Sequence, residues 1–250
     1  MSSALNDELE ENFKLFESQW PKDFGAAFTA LSTSKKYFIS SYVRISSIQA
    51  WRTTIMLEAM DDDSLAFFFE AQNDFLISHC LARSGSFRQA LKSLRSAIEN
   101  ILFALYYKDH PVELTKWVLG QHKLGFTEMI KYFEGHPLLQ KLSPSESGLD
   151  VLKTEYGTLS RAVHGSAKEF RMTQNLTDIQ LWSTATPSVG KWASREKAVI
   201  TAFNLLLLQM FQSQLTGSQR LNLREVLGLI IPKNRHASIK SKLKITLVGA

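Results

Sequence analysis

The chain has 250 residues, of which 44% are hydrophobic and 21% charged, with only six prolines. That composition excludes a disordered or collagen-like polypeptide and allows one large or two modest folded units. The formal charge of +5 is mildly basic, which permits nucleic acid or another acidic partner without demanding one.

Cys80 is the sole cysteine, so an intramolecular disulfide is impossible and a thiolate metal cluster is not expected. At helical spacing after Phe75, Leu76 and His79 it reads as a small buried apolar group. The acidic start of the chain lacks a charged-then-apolar leader, so no secretory signal is expected. The greasiest run, residues 202–211, holds Asn204 and Gln209 and is too short to span a bilayer. A cytoplasmic protein is the simplest expectation.

Asn6 or Asp7 is placed to cap a first helix carrying Leu9, Phe13, Leu15 and Phe16 toward Trp20, and Pro21 is expected to end it. A short helix is expected over residues 24–31. From residue 34 to residue 60, Phe38, Tyr42, Ile45, Ile48, Trp51 and Ile55 follow a helical period, against many Ser and β-branched residues. Asp61, Asp62 and Asp63 with Ser64 read as a helix start rather than a metal site. Carboxylates on adjacent helical residues diverge, and no His or Glu stands at ligand spacing. The next helix closes at Gly85.

Ser86 is placed to cap the clearest helix, whose stripe of Phe87, Ala90, Leu91, Leu94, Ala97, Ile98, Ile101, Leu102 and Leu105 is wide enough to need helices on both sides. Short helical pieces are expected over residues 112–119, 124–133 and 138–142. His110, His122 and His136 fall at no zinc spacing and read as surface or turn histidines. Residues 170–182 give mixed signals, with Leu176, Ile179 and Leu181 fitting a loop, a short strand or a frayed helix. Pro187 starts a long helix ending at Gly217, and Leu205 to Leu208 imply burial around much of it. Leu223, Val226, Leu227, Ile230 and Ile231 make a further amphipathic helix. The final residues carry Lys233, Arg235, Lys240, Lys242 and Lys244 with no acid among them, usually a solvated, partly mobile end but also the best electrostatic candidate for a phosphate backbone.

The chemistry gathers in V-L-K-T-E-Y-G-T-L-S-R-A-V-H-G, residues 151–165. Val151, Leu152, Tyr156, Leu159 and Val163 share one helical face, Gly165 is placed to stop the helix, and Ser160, Arg161 and His164 cluster near its end. A histidine ordinarily titrates near neutral pH, so an Arg–His pair here suits acid–base or phosphate chemistry. The plainer reading of His164 is a helix-terminal side chain that favours the dipole. No glycine-rich phosphate loop, dinucleotide fingerprint or nucleophile elbow occurs, and Ser32-x-x-Lys35 is a chance match.

The run Y-G-T-L-S-R-A-V-H-G from Tyr156, preceded by the long helix from Ser86, resembles the HEPN (higher eukaryotes and prokaryotes nucleotide-binding) superfamily over about residues 86–215. The resemblance implies an all-α multi-helix bundle from a bacterial anti-phage defence or toxin-type system, often a dimer, and many such proteins are metal-independent RNases. Carried over, His164 is the acid or base, Arg161 engages phosphate and Ser160 orients them, with Arg88, Arg95 or Arg171 contributing from elsewhere. The family's Arg position is occupied by Leu159, and Arg161 lies only three residues before His164. The expected organisation is an N-terminal helical region at 1–85, a HEPN-like core at 86–232 and a basic tail at 233–250. The partners expected are RNA or another nucleic acid, a second copy or a partner protein, with no membrane, metal or cofactor. The alternative is a non-catalytic interaction subunit of a defence complex.

Overall fold

The computed structural model describes residues 3–165, 167–172, 181–215 and 220–249, and all of its regular structure is helical. The helices are α1 (Ser3–Ala30), α2 (Lys35–Trp51), α3 (Leu57–Ala59), α4 (Asp62–Arg83), α5 (Phe87–Asp109), α6 (Pro111–Val118) and α7 (Phe126–Gly135). There follow α8 (Pro144–Ser147), α9 (Leu149–His164), α10 (Thr186–Met210), α11 (Gln212–Leu215), α12 (Leu221–Ile230) and α13 (Lys233–Leu243).

The α4–α5 hairpin is the most extensive pairing, and α9 and α10 close over α5 while α2 lies against α4 and α10. The α5 stripe is fully buried from Leu94 to Leu105 at Ala97, Ile98, Ile101 and Leu102, so α5 occupies the centre as its breadth predicts. Helix α10 is buried on every side from Phe203 to Leu208. One apolar cluster runs from Leu31 to Leu247 and joins α2 and α4 to the later helices.

The first helix departs from expectation. It begins before Asn6 and Asp7 and continues through Pro21 to Ala30, absorbing the separate helix expected at residues 24–31. Proline removes one backbone bond from a helix interior without always ending the helix. Its large apolar side chains face outward, and among its residues of described burial only Ala27 is buried. The segment at residues 34–60 is helical but broken by a wider π turn at Arg52–Met56.

Asp61 caps α4 as read from the sequence, its carboxylate accepting from the Ser64 N–H at 2.9 Å. Ser86 sits at the N-cap of α5, yet its hydroxyl makes no capping bond. Cys80 is exposed rather than buried, because α4 turns Phe75, Ser78 and Ala82 to the core and leaves position 80 on the outer side.

The end of the chain is not a loose tail. Helix α13 buries Ile239 and Leu243, and the extended residues after it bury Ile245 and Leu247. The Val248 N–H then donates to the Arg224 carbonyl at 3.4 Å. The readings made for Leu176, Ile179 and Gly217 lie outside the described residues.

Candidate functional site

Helix α9 is fixed at both ends. At its start Gly148 has φ +86°, and a Cβ there would stand 2.5 Å from the Ala202 carbonyl oxygen, so glycine lets α9 and α10 approach. Leu152, Leu159 and Ala162 then face the core. At its end Gly165 takes φ +63° and stops the helix as predicted.

Arg88, from the first turn of α5, completes that end. Its Nε donates to the Ala162 carbonyl at 3.0 Å and its Nη2 to the Val163 carbonyl at 3.3 Å. A guanidinium here satisfies acceptors that the helix leaves over and sits at the negative end of its dipole.

Two turns further along α5, Arg95 reaches Ser160. Its Nε donates to the Ser160 Oγ at 3.1 Å, its Nη1 to Glu99 at 2.9 Å, and its Nη2 to the Tyr156 hydroxyl. The Tyr156 hydroxyl in turn donates to Glu99 Oε1 at 2.9 Å. Burial, and then the Glu99 carboxylate, push the Tyr156 phenol up to about 12, so it holds its proton. Phe126 stacks on the Tyr156 ring at 3.4 Å, and the Arg95 guanidinium lies 4.6 Å from the ring centre. Arg95 and Ser160 are therefore partners of each other in a half-buried polar seam between α5 and α9.

Arg161 and His164 are exposed on the last turn of α9. Residues three apart share a helix face, so both project from the end that Arg88 holds. Arg161 Nη2 also stands 3.5 Å from Thr158 Oγ1.

Beside this end lies a cleft with about 780 Å³ of empty volume, part of it open to solvent. Its lining includes Arg88, Arg171, Lys191 and Arg195, with Phe170 and Trp192 among its apolar walls. Arg195 is tied to Glu155 at 2.9 Å. Sequence reasoning found Arg88 and Arg171 and missed Lys191 and Arg195. Their signal was an i, i+4 pair of cations in the first turns of α10.

The cations of α13 lie elsewhere. Lys242 Nζ is 2.7 Å from Glu146 Oε2 on α8, Ser238 donates to the same carboxylate at 2.8 Å, and Arg235 donates to the Ser145 carbonyl at 3.4 Å. The Lys242 contact first, then bonds from the Ser143 N–H, the Ser238 hydroxyl and the Ser143 hydroxyl, hold the Glu146 carboxyl down at about 2. Lys244 donates to the Ser241 carbonyl at 2.9 Å, and Lys233 and Lys240 are exposed. Helix α8 precedes the start of α9, so these groups gather at one end of α9 and His164 at the other. Sixteen helical residues span about 24 Å.

A second polar cluster is buried among α2, α4 and α10. Glu196 accepts from Arg44 Nε at 2.6 Å and from the Ser41 hydroxyl at 3.1 Å, and Ser41 Oγ stands 3.0 Å from His79 Nδ1. Nearby, Asn204 accepts from Trp51 Nε1 at 2.8 Å and donates to Ser47 at 2.9 Å. Among the described residues, no three His, Cys, Asp or Glu side chains are grouped to hold a metal ion, and no helix is long and apolar enough to cross a membrane.

Comparison with protein-family models, curated proteins and solved structures finds no match for this chain.

Proposed function

We propose that the chain is a HEPN-like protein of a bacterial anti-phage defence or toxin-type system that binds and cleaves RNA at the C-terminal end of α9. The observation that supports this most is the joint exposure of Arg161 and His164 on one helical turn, held by Arg88 and next to the cleft that Arg171, Lys191 and Arg195 line. In this reading Arg161 engages the scissile phosphate and His164 moves a proton at the ribose hydroxyl or the leaving oxygen. Ser160, bonded to Arg95, fixes the face of α9 from which both project. The cleft cations carry the strand beyond the scissile bond by neutralising its phosphates.

The test is incubation with total RNA. Wild-type protein is expected to cleave it and His164→Ala to leave it intact, with the helical circular dichroism unchanged. Equal cleavage by both removes His164 from the chemistry.

A second reading, a non-catalytic interaction subunit, is favoured by α1, whose apolar side chains are exposed along most of its length. Here RNA cleavage is absent from the wild type, and replacing the α1 aromatic groups abolishes association.

A further inference from the structure

The cleft beside the end of α9 has a floor and a rim of different chemistry. Phe87, Leu91, Phe170 and Trp192 make the floor, and each is buried, so the apolar surface they offer lies at the bottom of the cleft. The rim carries four cations, Arg88, Arg171, Lys191 and Arg195, against one acid, Glu169, among the described residues. Ser188, in the first turn of α10, also lines the cleft and brings the positive end of that helix to it.

The walls are braced by the fold itself. Trp192 Nε1 donates to the Ser78 hydroxyl at 3.0 Å, which donates in turn to the Ala90 carbonyl at 2.8 Å. The Ser183 N–H donates to the Gly85 carbonyl at 3.0 Å. Gly85 has φ +86°, and a Cβ there would stand 2.5 Å from the Ser183 carbonyl oxygen, so glycine lets this wall close on the turn between α4 and α5. Two of the rim cations are engaged within the protein, Arg88 by the α9 carbonyls and Arg195 by Glu155. The side chains of Arg171 and Lys191 make no hydrogen bond or ion pair among the described residues, and both are exposed.

We propose that this cleft binds a small aromatic acid, its flat ring system seated on the apolar floor and its carboxylate or phosphate ester held by Arg171 and Lys191. Chemistry and size select that class. A bare inorganic anion leaves the apolar floor in water, and a neutral aromatic leaves two cations unanswered. Three of the four floor side chains are aromatic; their faces and edges suit a rigid ring, whereas a flexible chain has more rotamer entropy to lose on burial. The empty volume of about 780 Å³ falls in the range of small-molecule sites, and a wall that is already braced adds little ordering cost to binding. The inference goes beyond the RNA reading and needs neither Arg161 nor His164. Where that reading also holds, the acid and the strand compete for the same cations, so the bound acid inhibits cleavage.

Isothermal titration of the full chain with naphthoate and naphthyl phosphate tests this, beside naphthalenemethanol, octanoate and inorganic phosphate. Both naphthyl acids are expected to bind at one site per chain, and the other three roughly tenfold or more weakly. Arg171→Ala with Lys191→Ala is expected to weaken naphthoate by a similar factor with unchanged helical circular dichroism, since both side chains are exposed. Tighter binding of one of the two naphthyl acids supports the inference and names the acidic group. No binding of either, or binding indifferent to the double alanine, overturns it. Octanoate equal to naphthoate overturns the aromatic assignment, and inorganic phosphate equal to naphthyl phosphate overturns the part given to the floor. RNA is absent from these titrations, so the inference and the RNA reading fail separately.

Discussion

The Arg95 guanidinium donates to the Ser160 hydroxyl across 3.1 Å, joining the centre of α5 to the last turns of α9. That bond gives both residues a task inside the bundle. Arg95 also balances Glu99 and packs on Tyr156. Removing it leaves a half-buried carboxylate without its cation. Arg95→Ala is expected to destabilise the fold by about 1–3 kcal/mol, and Ser160→Ala by no more than about 1 kcal/mol. Urea unfolding of the two single variants and the double variant checks this, with non-additivity reporting the bond itself.

Arg88 is expected to act on the end of α9 in particular. Arg88→Ala removes two carbonyl partners and a cation at the dipole's negative end, a loss of about 1–3 kcal/mol. Gly165→Ala forces a side chain into the left-handed region, at about 1 kcal/mol or more, and brings its Cβ to 2.8 Å from Arg88 Nη2. Hydrogen exchange is expected to show earlier opening of residues 160–164 in both variants, while the α4–α5 amides are unchanged.

Stability is expected to carry a pH signature from Glu196. Burial pushes its carboxyl up to about 7, with Arg44 pulling the other way. The unfolded chain releases that proton near 4.5, so between these values the folded state binds it more tightly. The resulting stabilisation is complete below pH 4.5 and is lost as pH rises through about 7. The groups facing Glu196 are Arg44 and Ser41, with His79 behind Ser41 and Arg83 acting on His79. Burial, then Arg83, lowers the His79 pKa, and its contribution runs oppositely, present above 6.5 and lost as pH falls. Comparison with Glu196→Gln isolates the carboxyl. The urea midpoint of wild type minus that of the variant is expected to decrease from pH 5 to pH 7; a constant difference contradicts the shift.

Periodicity made the bundle legible because each central helix has one dominant environment. The α5 stripe, the Asp61 cap and the Gly165 stop are local patterns with local consequences, and each appears where it was read. Helix α1 misled at Pro21, where the lost backbone bond does not end the helix, and sequence does not say which surface covers its apolar stripe. The end of the chain misled through charge. Ile239, Leu243, Ile245 and Leu247 anchor it to the core, and their weak period was hidden among lysines. In the candidate site the residue types were legible, but which arginine stabilises the fold and which faces solvent depends on how α5 crosses α9. Asn204 and Gln209 served only to argue against a membrane span, although polar groups in so apolar a helix also signal a buried hydrogen-bond network.

Truncation before residue 233 is expected to destabilise the fold rather than release a tail. It removes four buried aliphatic side chains and the Lys242 contact to Glu146. At about 1.5–3 kcal/mol for each buried side chain, a large drop in melting temperature is expected. Substituting only the exposed Lys233 and Lys240 is expected to leave the melting temperature within a degree or two.

The central claim is tested most directly by cleavage of a single-stranded RNA oligonucleotide by purified wild type and His164→Ala, matched in circular dichroism and sedimentation. The expected result is cleavage by the wild type, its loss in His164→Ala, and no cleavage of the same strand with 2′-deoxyribose throughout. Equal cleavage by the two proteins, or cleavage of the deoxy strand, contradicts the assignment of His164 to proton transfer at a ribose hydroxyl.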